Sequence, residues 1–239
     1  MTGALAFSAL AAVVIILGGM LVLARTPRER TTLDALTAFG GGFMLAVALL
    51  DMLPHALDVD AGFTIVTLGY LAVHVTQHVL PPHFHFGEET HAEAMVSRGI
   101  GFWALAGLLP HSFFDGVAIA SGFLVGPELG VLIFLAVLLH NAPTGIALAS
   151  IMVASGNTRR QAMLALATIG IATVAGALVT PTIEALVRYG LALAAGVTLY
   201  VAASNLIPES QNASRRIVPI SVILGVLAFL VVRFLLPDA

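Results

Sequence analysis

The stretch His111-Ser112-Phe113-Phe114-Asp115-Gly116-Val117-Ala118-Ile119-Ala120-Ser121 decides how the chain is read. Its imidazole and carboxylate stand four residues apart, and so on one face of a helix. They lie inside an apolar run long enough to cross a bilayer. The stretch His140-Asn141-Ala142-Pro143-Thr144-Gly145-Ile146-Ala147-Leu148-Ala149-Ser150 repeats the pattern, with His140 and Thr144 on one face. Two such segments with a tight connection are read as adjacent antiparallel membrane helices. An ionisable residue at mid-helix costs at least about 2.5–3.5 kcal/mol on insertion scales, so it needs a partner or a function.

The composition agrees with a membrane setting. Hydrophobic residues make up 59% of the chain and charged residues 10%, against about 25% charged in soluble domains. The 239 residues cannot hide that apolar surface in one water-soluble core, so lipid is the solvent. No basic tail points to nucleic acid. The chain has no Cys and no Lys. Disulfides, thiolate sites and cysteine catalysis are excluded, and His, Met and carboxylates remain as metal ligands. The apolar run from Ala4 to Ala24 precedes its cationic cluster (Arg25, Arg28, Arg30). A cleavable signal has the opposite order, so the run is read as a retained first helix.

Working outward gives an all-α membrane protein in one transmembrane domain, 1–239. Eight helices are expected at about 3–24, 32–57, 61–81, 99–124, 128–154, 160–183, 188–210 and 215–236, because only a closed helical backbone satisfies its own polar groups in hydrocarbon. With the N-terminus outside, eight Arg fall inside (Arg25, Arg28, Arg30, Arg98, Arg159, Arg160, Arg215, Arg216) and two outside (Arg188, Arg233). That bias predicts a multi-pass cell (inner) membrane protein with both termini outside.

A second repeat joins distant segments. Gly42-Phe43-Met44-Leu45 leads to Asp51 and Leu53-Pro54-His55, and Gly196-Val197-Thr198-Leu199 leads to Asn205 and Ile207-Pro208-Glu209, with the same spacing from Gly to Pro. The two helices run in opposite directions. The expected arrangement is 3+2+3, with inverted repeats around the central pair. Inverted repeats with interrupted helices mark secondary transporters, whose sites lie near the midplane. Recurrence of small-residue packing motifs is the plainer explanation.

Two imidazoles and a carboxylate suit zinc, and a thioether such as Met44 suits a softer ion. Pro110 and Pro143 each free a carbonyl, expected to face the site. A buried His–Asp network that only joins helices is the structural alternative.

These motifs resemble the ZIP (Zrt/Irt-like) family of divalent-metal transporters, in its bacterial form. His111-Ser-Phe-Phe-Asp115-Gly116 and His140-Asn-Ala-Pro-Thr144-Gly145 carry the resemblance, supported by Gly42-Phe-Met44, Leu53-Pro54 and Leu206-Ile-Pro208-Glu209. It implies a paired metal site between helices 2, 4, 5 and 6, and transport by one helix group sliding against another. By position, the first site maps to Met44, His111, Asp115 and His140, with Thr144 at a usual Glu position. The second site is degenerate. Ser112 stands where Asn is common, Asn141 where an acid or another ligand is often found, and Thr173 where Glu often precedes Pro. Asp115 is left as the central carboxylate. A second dication beside the first would be strongly repelled, so one metal per site is expected.

The remaining histidines are accessory candidates. His83, His85 and His91 lie in a cytoplasmic loop, 82–98, read as a metal-receiving segment or as solvated chain. His74 and His78 share a face of helix 3, as an accessory site or a buried pair. Asp51 and His55, near the outer end of helix 2, are placed to attract cations.

The leading function is transport of Zn²⁺, or another divalent transition metal, toward the cytoplasm. The alternatives are an intramembrane zinc hydrolase, which needs an open coordination position and a poised acid–base group, and a metal sensor that binds without transport. Gly40-Gly41-Gly42 permits close helix contact, with a homodimer among the partners to consider.

Overall fold

The computed structural model describes residues 2–24, 30–79, 98–210 and 216–236. Its described elements are helical, in this order: α1 (Thr2–Ala24), α2 (Arg30–Val47), α3 (Gly62–Val79), α4 (Arg98–Val125), α5 (Pro127–Ala154), α6 (Arg159–Val179), α7 (Glu184–Tyr200) and α8 (Ile217–Leu235). Two of them continue through a wider turn. A π-helical segment, Ala48–Met52, extends α2 into a last turn, Leu53–Ala56, and another, Val201–Leu206, extends α7 into Ile207–Glu209. The two fall at matching places in the Gly-to-Pro repeat, so the sequence similarity is carried by a shared backbone irregularity.

Seven described helices are long and apolar enough to cross a bilayer. The remaining expected span is α3, with 18 residues, whose Tyr70, His74, Gln77 and His78 lower its hydropathy. Helix α7 starts at Glu184 rather than 188. Arg188 lies within it and reaches back to Asp60, Nη2 to Oδ2 at 3.0 Å.

Turn chemistry sets the tight links. Gly126, in extended conformation, precedes Pro127 at the first position of α5, where a missing N–H costs nothing. Between α5 and α6, Gly156 takes φ 83°, and Thr158 caps α6 in a reciprocal capping box with Gln161. Short links make α4, α5 and α6 consecutive neighbours.

The helices pack in two groups: α1, α4, α5 and α6 in one, α2, α3, α7 and α8 in the other. Within each, glycines let backbones touch. A Cβ at Gly116 of α4 would meet the Thr173 carbonyl of α6, and one at Gly176 of α6 would meet the Phe113 carbonyl of α4. The same reciprocity joins α1 to α5 through Gly18 and Gly145, α2 to α8 through Gly42 and Gly225, and α3 to α7 through Gly69 and Gly196. Exchanging α1 with α6, α2 with α7, α3 with α8 and α4 with α5 maps these four pairs onto one another.

Contacts between the groups, α4 with α7 and α2 with α5, are of another kind. Gly190 of α7 faces the side chains of Ser121 and Val117. The glycine triplet is consumed within the chain: Gly40 faces α5, Gly41 faces Ile207, and Gly42 faces α8. Its composition is accounted for without a second copy of the chain.

Two large apolar clusters and a small third one, around Ala4, Ala120 and Ala177, form the core. One large cluster includes Ile15, Leu108, Leu148, Met152, Leu166 and Ile169. The other includes Phe43, Met44, Ile119, Val137, Tyr200 and Phe229. Along α4 and α5 the two large clusters are separated by the segments that hold His111, Asp115, His140 and Thr144.

Candidate metal centre

The centre is built at mid-helix. His140 is the fourteenth of the 28 residues of α5, and His111 the fourteenth of the 28 of α4. The Gly116 and Gly176 crossing fixes the depth of α4 against α6, one residue beyond Asp115. The Gly145 and Gly18 crossing fixes α5 against α1, one residue beyond Thr144.

His111, Asp115 and His140 are all buried. Asp115 Oδ2 lies 3.6 Å from His111 Nε2 and 3.4 Å from His140 Nε2, and the two rings are 5.2 Å apart between centroids. One nitrogen or oxygen from each residue lies within 4.8 Å of the others, and no other trio of His, Asp or Glu does so among the described residues. Zinc bonds of about 2.0–2.1 Å place tetrahedral ligands about 3.3 Å apart. The separations of 3.4 and 3.6 Å are close to that edge length and long for direct hydrogen bonds.

A backbone hydrogen bond orients His140 toward the other two ligands. His140 Nδ1 is 3.0 Å from the Ala136 carbonyl oxygen, so that nitrogen donates and Nε2 keeps its lone pair toward Asp115. His140 Nε2, Asp115 Oδ2 and His111 Nδ1 are buried without a hydrogen-bond partner. Such atoms in a bilayer interior are costly unless something fills the gap.

Around this trio the other expected residues have varied surroundings. Thr144 Oγ1 donates to the His140 carbonyl at 2.8 Å. Asn141 Nδ2 donates to the Ala11 carbonyl at 3.0 Å, tying α5 to α1. Ser112 Oγ is buried without a partner. Met44 is buried in the core cluster that includes α2. The Leu139 carbonyl, released by Pro143, lies toward Gly40 of α2, 3.4 Å from where a Cβ there would stand; it does not serve the histidines.

The accessory candidates separate from the centre. His74 is exposed, with its ring against Tyr200 at 5.8 Å between centroids. His78 lies on α3 with its side chain outside the description, and His83, His85 and His91 lie outside the described residues. Asp51 is completely buried in the first π-helical segment, its Oδ1 3.0 Å from Arg233 Nε. His55 Nδ1 donates to the Asp51 carbonyl at 2.8 Å.

Sequence reasoning missed two polar pairs. One is Asp51 with Arg233 of α8. The other is Asn205, in the second π-helical segment, donating to Gln77 Oε1 of α3 at 2.9 Å, beside Tyr70 and Ser204, whose hydroxyl oxygens are 3.0 Å apart. The equivalence of Asp51 and Asn205 in the repeat was the available signal.

Comparison with known proteins extends these observations. Zinc transporter SLC39A7 of Canis lupus familiaris is 32% identical over 160 residues, covering 62% of this chain and 34% of that protein. The Homo sapiens protein of that name is 30% identical over 154 residues, covering 58% and 32%. Zinc transporter YKE4 of Saccharomyces cerevisiae is 23% identical over 225 residues, covering 80% and 65%. The chain spans about a third of the length of the SLC39A7 relatives it matches. The family model described as ZIP Zinc transporter matches residues 83–234, which include α4 to α7, all three converging ligands and most of α8. With well over half of its residues matched, the chain belongs to the ZIP zinc transporter family.

Proposed function

We propose that the chain carries a divalent metal ion, zinc above others, through a bilayer toward the cytoplasm. The ion is held at mid-depth by His111, Asp115 and His140. The convergence of three buried ligand atoms from neighbouring membrane-length helices carries this reading. Ser112 and Asn141 can add oxygen ligands, and Met44 and Thr144 border the site. Asp115 and two neutral imidazoles offset one of the two charges on the ion, so a single ion is carried at a time.

Movement follows an alternating-access, elevator-like scheme. Backbone-to-backbone contacts tie α4 to α6 and α1 to α5, whereas side chains line the α4 and α7 face between the groups. A group held together by carbonyl–glycine contacts moves as a unit more readily than it comes apart. The membrane is a cell membrane of inner type, with both termini outside, from the distribution of Arg. The loop bearing His83, His85 and His91 then receives the ion on the inside.

The zinc-transporter description of the family favours transport over the hydrolase, and so does the chemistry. Asp115 faces both imidazoles, so the central carboxylate is used as a ligand and does not serve as a free acid–base group. Zinc uptake into proteoliposomes tests the reading, comparing the wild type with His111→Ala and Asp115→Ala. Loss of uptake in both variants is expected. Binding without uptake in the wild type would favour a sensor, and turnover of lipid or peptide would favour the hydrolase.

A further inference from the structure

Besides Asp115 of α4, Asp51 is the other buried carboxylate among the described residues; it lies in the π-helical segment that extends α2, and it is unusual in its surroundings. It has 0% side-chain exposure, and neither oxygen makes a hydrogen bond. Its charge is met by one group, the Arg233 guanidinium, through a single contact of 3.0 Å. A carboxylate in a structural ion pair has room for about four hydrogen bonds, and an Arg fork can satisfy two of them at once. Here the fork is not engaged.

The second half of the chain provides an internal control. Asn205 is equivalent to Asp51 in the repeat, and it joins α7 to α3 through neutral Gln77. Both residues of that pair are buried. A neutral amide pair is therefore sufficient to hold a helix against a π-helical segment in this fold. The charge at position 51 is not needed for packing.

Arg233 has somewhere else to go. It sits in the last turn of α8 with 42% of its side chain exposed. A cation there is stabilised by the free carbonyls of its own helix end and can extend toward the interface. His55, four residues from Asp51, is half-buried, and its Nδ1 is used on the Asp51 carbonyl. That leaves Nε2 as the ring atom with a free lone pair.

We propose that Asp51 and His55 form a second, weaker site for a divalent metal ion, with Arg233 as a tethered cation that occupies Asp51 until the ion displaces it. The ion exchanges with the guanidinium, so the buried carboxylate is never left without a positive partner. The site is separate from the central trio, and it does not require that trio to be correct.

Zinc binding to purified full-length protein in nanodiscs tests this. The wild type is expected to bind one ion tightly and a second weakly. Arg233→Gln removes the competitor, and the second ion should bind about tenfold or more tightly than in the wild type. Asp51→Asn with Arg233→Gln copies the neutral Asn205 and Gln77 pair and should abolish the second ion while keeping the first. If Arg233→Gln gains no second ion, or if the second ion persists in the double variant, the proposal is overturned. If Arg233→Gln does not fold, the weak second site of the wild type must still vanish in the double variant. In Asp115→Asn the tight first ion should be lost while the weak second ion remains, so failure of the central site is read separately.

Discussion

His140 of α5 faces Asp115 of α4 with Nε2 3.4 Å from Oδ2, and it does so because its other nitrogen is fixed on the Ala136 carbonyl. One backbone oxygen thus selects the tautomer that offers a lone pair to the centre. The carboxylate supplies the charge, and the imidazole supplies direction.

Asp115→Asn should abolish tight zinc binding and leave the fold in place. The amide is nearly the same size, but it removes the one central negative charge. Outer-shell changes cost about 10–100-fold in metal affinity, so loss of this ligand should cost about a hundredfold or more. Isothermal titration with zinc measures it, and a variant retaining wild-type affinity would remove Asp115 from the site.

Acidification should weaken zinc binding. Metal and protons compete for the lone pairs of His111 and His140. Affinity is therefore highest where both imidazoles are neutral and falls as pH drops, by up to about two orders of magnitude per pH unit once both bind protons. Titrations between pH 8 and pH 5 check the sign. Flat affinity across that range would mean that imidazoles do not hold the ion.

Thr144→Glu should raise the number of central ions from one to two. Thr144 lies four residues from His140 and shares its face, so a carboxylate there supplies the charge that a second dication needs. Metal analysis at saturating zinc gives the count, in an Asp51→Asn and Arg233→Gln background that removes the outer site. Continued binding of one ion would show that charge is not what limits occupancy.

Gly116→Ala should destabilise the protein by about 1–3 kcal/mol and slow uptake further. Its new Cβ meets the Thr173 carbonyl, which is backbone and cannot swing away. Gly3→Ala is the control, since its Cβ meets only Phe123 at 3.8 Å. Thermal unfolding in detergent should separate the two; equal midpoints would refute the close α4 and α6 contact.

Much of this was legible in the sequence for physical reasons. Apolar runs bounded by Arg, Asp and Gly clusters mark the helices, because hydrocarbon leaves the backbone few alternatives. The pairing of His111 with Asp115 follows from helical period. The match between the 111–121 and 140–150 stretches brought His140 to the same level. What was not legible depends on tertiary approach. The start of α7 was placed four residues late because Arg188 reads as a boundary, although its long side chain reaches Asp60 from within the helix. The glycine triplet gave no sign that its three members face three different helices. Asp51 and Arg233 lie far apart in the chain, and no local pattern links them. The π-helical segments look like ordinary α-helix, since the two differ by one residue in a turn.

Each π-helical segment uses an additional residue to complete its turn. If 48–52 closed as a regular α-helix with every residue kept, everything after it would rotate by about 100°. The Asp51 carboxylate would swing off the α8 side, and Pro54 and His55 would turn with it. The untouched segment at 201–206 would keep Asn205 on Gln77. The pseudo-symmetry of the bundle would then be broken by a change in angular phase, with no alteration in the hydrophobicity of either half.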